Sequence, residues 1–202
     1  MIPIIFKAFR KLNDIFIKLI YNQLGKVLFF VNGAHFGKKL IVNGSFKLKV
    51  TRRGVLEIGD HCRFNSGLRY NVSGGNQKCH FWIEGNLKIG DNVGISSSSI
   101  LCRHKITIGD NVTIGGGTLI IDTDSHSVNS KDRGSSDNDF KKANWGPVNI
   151  SDHVFIGARC IILKNISIGE NSIIAAGSTV TKNIPANEIW GGNPAKKIRT
   201  LS

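Results

Sequence analysis

The chain has 202 residues, enough for one domain with a substantial core and little room for a second. Hydrophobic residues make up an ordinary 41%, Gly is frequent at 23 and Pro scarce at 4, and the formal net charge of +13 points to an anionic partner. A nucleic-acid partner is not expected, because the few aromatics are not interleaved with the basic residues.

Residues 1–36 read as an amphipathic helical segment. Lys7, Arg10, Lys11, Asp14, Lys18, Asn22 and Lys26 recur at three- and four-residue steps. Between them run Ile5, Phe9, Leu12, Phe16, Leu19 or Ile20, Leu24 and Leu28, which predicts one helix or two with a bend. Such a helix covers the open end of the following domain or packs between subunits, or it lies on anionic lipid at the inner face of a membrane. Covering and lipid contact are compatible. The longest uninterrupted apolar run here, Val27 to Val31, is far too short to span a bilayer. No secretory leader is evident, so a cytoplasmic protein with free thiols at Cys62, Cys79, Cys102 and Cys160 is expected.

Residues 37–202 read as one repetitive domain. Ile150, Ile156, Ile162, Ile168, Ile174 and Val180 each follow the last by six. Earlier come Ile83, Ile89, Ile95 and Leu101, then a one-residue slip, then Ile108, Ile114 and Ile120, with Ile58 and Phe64 as an irregular beginning. Four residues after an aliphatic stand small or β-branched residues such as Val154, Cys160 and Ser172. A period of six fits neither a helix nor open strand alternation. It fits a short strand and a tight turn, three of which close a triangular coil stacked at about 4.8 Å. His61-Cys62 and Cys79-His80 lie about one coil apart. Cys62 and Cys160 nevertheless hold the small inward slot, so no metal site is expected. The glycines at 115–117 read as a coil corner, not as a phosphate loop. The repeat resembles that of the hexapeptide-repeat acyltransferases. The resemblance implies an all-β, left-handed parallel β-helix; the handedness comes from the family alone.

The repeat breaks once. Counting in sixes from Ile108 gives Ile114, Ile120 and then His126. The polar stretch 127–147 cannot form a coil and must leave as a protruding loop before the repeat resumes near Val148. Spacing leaves His126 open between a surface residue and a functional base. Alternation along an extended run would put Asp122, Asp124 and His126 on one face, with either carboxylate able to hold the ring.

"DTDSHS" resembles the Asp-x-Asp-x-His segment of sugar O-acetyltransferases from capsule and lipopolysaccharide loci, and "IWGGNPAKKIR" resembles the signature that ends their coenzyme A-binding β-helices. The resemblance implies an acetyl-coenzyme A-dependent O-acetyltransferase with His126 as general base and a sugar hydroxyl of a surface-polysaccharide or related glycan precursor as acceptor. It also implies a homotrimer with the donor between subunits. Ala158 and Ala176 would meet the pantetheine arm, Thr181 and Lys182 the nucleotide end, and Lys196 and Arg199 the phosphates. N-acetylation of an amino sugar nucleotide and a non-catalytic trimeric scaffold are the alternatives.

Overall fold

The computed structural model describes residues 2–201. The side chains of residues 2–5 and 136 lie outside what it describes, so the expected part of Ile5 in the apolar stripe is not addressed.

From His35 onward the chain winds as a three-sided prism. Its first face stacks His35–Phe36, Val55–Ile58, Asn86–Ile89, Lys105–Ile108, Val148–Ile150 and Ile166–Ile168 as parallel neighbours. The second face stacks Ile41–Asn43, Arg63–Asn65, Gly94–Ser96, Thr113–Ile114, Phe155–Ile156 and Ile173–Ile174. It ends in an antiparallel hairpin of Glu188–Gly192 and Ala195–Thr200. The third face stacks Lys47–Val50, His80–Ile83, Ser99–Cys102, Leu119–Ile121, Ile161–Ile162 and Thr179–Val180. Coils therefore begin well before the six-residue period becomes legible near residue 56.

Six residues per side explain both the core and the corners. Each side turns an aliphatic inward, so Ile114, Ile156 and Ile174 lie in register as a buried column. The position two earlier also points in, which is why Cys160 and Ser172 are buried. Burial pushes the Cys102 thiol up to about 12 and the Cys79 thiol up to about 11, so neither supplies a thiolate nucleophile near neutral pH. The recurring Ile-Gly-Asp-Asn motif builds the corner between the first and second faces. There Oδ1 of Asp91, Asp110 and Asp152 accepts the backbone N–H of the aspartate one coil earlier, at 2.7, 2.7 and 2.8 Å. The residue after each aspartate turns left-handed, as at Asn92 and Asn111. Glycine precedes because a Cβ at Gly90 would stand 2.2 Å from Oδ1 of Asp110.

Leu101 is a correction. It faces outward, and the inward residues of its strand are Ile100 and Cys102. The expected one-residue slip is the sum of two changes. The corner between Ile95 and Ile100 is one residue short, and the step from Ile100 to Ile108 is two residues long.

The N-terminal segment is one continuous helix, α1 (Ile2–Val31). It covers the open base of the first coil. Phe29 is fully buried among Phe46 and Phe64, which in turn pack on Phe81. Gly25 lies so close to Val42 that a Cβ there would meet it at 2.5 Å. Oδ1 of Asn22 accepts the Val42 N–H at 3.1 Å, satisfying an amide at the exposed sheet edge.

Candidate active site

The break in the repeat falls at the corner between the third and first faces. His126 does not line the prism. Val148–Ile150 pairs with Lys105–Ile108, so Ile150 fills the slot that counting assigned to residue 126. The chain leaves after Ile121 and returns before Val148. Its two ends stay together, with an antiparallel bridge between Thr123 and Trp145, the Asp124 N–H donating to Asn144 O at 2.9 Å and the Gly146 N–H to Asp122 O at 3.1 Å. This is a closed surface loop. It carries a short helix, α2 (Ser136–Lys141), where the sequence reading expected none. Two aromatic contacts hold the loop down on earlier coils. Trp145 stacks on His104 with centroids 4.2 Å apart, and Arg103, paired with Glu84, sits over the Phe140 ring.

Neither aspartate of "DTDSH" holds the histidine. Ser125 adopts φ 63, which turns the chain and destroys the expected alternation. Asp122 is fully buried, and its carboxylate accepts the backbone N–H groups of Arg103, His104 and Lys105 at 2.9, 2.7 and 2.8 Å. Asp124 pairs with Lys164 at 2.7 Å and accepts from Nδ2 of Asn144. The ring partner is Asp139 on α2, whose Oδ2 lies 2.7 Å from Nδ1 of His126. Its other oxygen accepts the Ser127 N–H at 2.7 Å. These two bonds, the histidine's first, hold the Asp139 carboxyl below the usual carboxylate range. Asp132 is likewise held low, chiefly by Lys142 at 2.6 Å, and accepts from Ser127 Oγ. In the neutral ring an anion beside Nδ1 favours the tautomer protonated there, which leaves the lone pair on Nε2. The imidazole is 73% exposed, against 13% for the Asp139 side chain. The arrangement is an oriented, accessible imidazole.

The sequence reading missed Asp139. Its one signal was local: Ser, Asp and Asn crowd the stretch before Phe140, as at a helix start. Six residues are too few to show a helical period.

The remaining predicted residues divide between two corners and the terminal hairpin. Ala158 and Ala176 stack in successive coils at the corner between the second and third faces, where the Gly177 N–H donates to Ala158 O at 2.8 Å. The excursion 66–79 leaves from this corner and lies against it, its Asn71 and Gly74 touching Gly116. Thr181 and Lys182 are exposed at the third-first corner, two coils beyond the loop of His126. Lys196 and Arg199 are exposed on the terminal hairpin, while Lys197 pairs with Glu188. Within one chain a whole prism face separates His126 from the two alanines.

Residues 147–182 match the bacterial transferase hexapeptide family, described as six repeats. The galactoside O-acetyltransferase of Lactococcus lactis is 29% identical over 83% of this chain and 73% of its own. That of Escherichia coli is 34% identical over 61% of this chain and 58% of its own. A hexapeptide-repeat acetyltransferase crystal structure from Vibrio cholerae superposes with a TM-score of 0.60 at 25% identity, over 97% of this chain and 92% of that one. The chain is similar to the hexapeptide-repeat acyltransferases. It spans about half the length of several curated relatives that it matches, between 44% and 58%. The three-sheet prism fits a left-handed β-helix. Among the described residues no group of His, Cys, Asp and Glu is arranged to hold a metal ion.

Exchanging Asp139 for asparagine is expected to lower turnover roughly 10- to 100-fold, part of what a general base contributes. Both carboxylate oxygens accept N–H bonds, so an amide nitrogen must displace one of them. Acid should act the same way. Because the folded pKa of Asp139 is depressed, its hold on the loop is complete above the ordinary carboxylate value and is lost as pH falls through the depressed one. Trypsin cleavage at Arg133, compared between wild type and variant, reads the loop directly. Equal cleavage and equal turnover would remove Asp139 from the site.

Proposed function

We propose that the prism winds left-handed, as in the hexapeptide-repeat acyltransferases, and that the protein is a cytoplasmic acetyl-coenzyme A-dependent O-acetyltransferase. Its acceptor is a sugar hydroxyl on a surface-polysaccharide or related glycan precursor. The observation that carries the reading is the exposed His126 ring with Nδ1 bound to Asp139. Nε2 takes the proton of the acceptor hydroxyl as its oxygen attacks. Asp139 keeps Nδ1 protonated, fixes the ring and stabilises the imidazolium that forms. The donor would supply a thioester carbonyl to that attack; its carbon–sulfur bond breaks, the proton on Nε2 passes to the leaving thiolate, and no covalent enzyme intermediate is required.

The donor site is read from the residues present. The small side chains of Ala158 and Ala176 leave room along one corner, a fit for an extended pantetheine arm. Thr181, Lys182, Lys196 and Arg199 lie exposed toward the same end of the prism and suit its phosphates. The separation of the two corners supports a homotrimer in which a neighbour's second-third corner, with its 66–79 excursion, completes the site beside His126.

The test is release of free thiol from acetyl-coenzyme A with a panel of hydroxyl and amino sugars. Transfer to a hydroxyl acceptor is the expected outcome. Transfer confined to amino sugars would turn the reading into N-acetylation, and absence of coenzyme A binding by calorimetry would leave a scaffold.

A further inference from the structure

His126 is held from two sides, and only one of them involves the ring. In front, Asp139 takes Nδ1 and the Ser127 N–H. Behind, a separate set of contacts fixes residues 123–125. The Asp124 N–H donates to Asn144 O at 2.9 Å, and the Thr123 hydroxyl donates to the same oxygen at 3.3 Å. That hydroxyl also accepts the Ser125 N–H at 3.1 Å. Ser125, at φ 63, has the left-handed backbone that residues with a side chain avoid, so the turn that aims His126 persists only if its surroundings hold it. The Asp124 carboxylate completes that hold. One oxygen accepts from Nδ2 of Asn144 at 3.3 Å, and the other lies 2.7 Å from Nζ of Lys164.

Lys164 belongs to the next coil, at the corner between Ile161–Ile162 and Ile166–Ile168. This corner sits directly on the returning limb of the loop. The Asn165 N–H donates to Gly146 O at 3.0 Å, and a Cβ at Gly146 would stand 2.6 Å from that of Asn165. Lys164 is therefore rooted in the prism, whereas Asn144 is part of the loop itself. Among the described residues Asp124 is the acid with which Lys164 pairs, and the two side chains are 29% and 28% exposed.

We propose that Lys164 is a positioning residue for His126. By tying Asp124 to a rigid coil it fixes the turn at Ser125, and with it the direction in which the imidazole leaves the corner. Asp139 then sets the rotation of the ring. The proposal rests on the reading of His126 as the base. It also gives Asp124 a part: this carboxylate serves the histidine through the backbone two residues away, not through the ring. An ion pair this exposed adds little to stability. A reacting group displaced by about an ångström, in contrast, can lose about 10²-fold in rate. Turnover should therefore suffer where folding does not.

Lys164→Met is expected to lower kcat about 10- to 100-fold. KM for acetyl-coenzyme A and for the acceptor should stay within about twofold, and the melting temperature within roughly 4 °C. Lys164→Arg keeps the pair with Asp124 and should bring kcat back to within roughly threefold of wild type. Added to His126→Ala, Lys164→Met should cost nothing further. Nitrogen NMR of the His126 ring reads the clamp without any acetyl transfer: wild type should give one sharp set of ring signals, and Lys164→Met broadened or displaced ones. Unchanged kcat with unchanged ring signals would overturn the proposal. So would a rise in KM, or a further loss in the His126→Ala background, since either would set Lys164 against donor or acceptor. If His126→Ala keeps its turnover while Lys164→Met disturbs the ring signals, the fault lies in the base reading and not in the clamp.

Discussion

Replacement of His126 by alanine is expected to lower acetyl transfer by about 10²–10⁴-fold, the usual contribution of a positioned general base, with the melting temperature unchanged. The ring is largely exposed and Ile150 fills the core slot, so truncation leaves the prism packed. Its loss does free Asp139, but that carboxylate keeps the Ser127 N–H. Turnover by the folded variant within a factor of a few of wild type would end the base assignment. The double variant with Asp139→Asn sharpens the test. If the aspartate acts only through the ring, the second substitution should add almost nothing to the first. Additive losses would mean that Asp139 does something else, such as holding the loop against the acceptor.

Asp122→Ala should do the opposite. Three backbone N–H groups at a buried corner would lose their acceptor. At about 1–3 kcal/mol for each buried group left unsatisfied, and with some relief from water, a destabilisation of about 3 kcal/mol is expected. For a domain of this size that lowers the melting temperature by roughly 6–12 °C. Asp122→Asn keeps one acceptor oxygen and should fall about midway. Well below its transition the alanine variant should still turn over, because Asp122 touches neither His126 nor its partner among the hydrogen bonds at the site. A melting temperature within 2 °C of wild type, on the scale of about 2–4 °C per kcal/mol, would refute the corner-pinning role. Loss of turnover at full stability would return Asp122 to the chemistry.

The two substitutions separate roles that six consecutive residues leave entangled. "DTDSHS" offers two aspartates near a histidine, and strand alternation would align all three. That inference needs an extended backbone, and Ser125 at φ 63 removes it. The result is one carboxylate turned down into the corner, one turned up to Lys164, and a third, 13 residues on, brought to the ring.

What the sequence determined by itself is whatever repeats. A period of six leaves its mark on most coils, so the prism, most of its inward aliphatics and the place where the winding is interrupted were legible. The amphipathic stripe of residues 2–31 was legible for the same reason, although only the packing of Gly25 and Phe29 shows which face meets the prism. The site is not periodic. The partner of His126 lies in a six-residue helix too short to announce itself, and it reaches the ring because Trp145 on His104 and Phe140 under Arg103 fold the loop back. Those are contacts between residues far apart in the chain. They depend on where the coils place His104 and Arg103, so only the tertiary structure could decide which carboxylate orients the base.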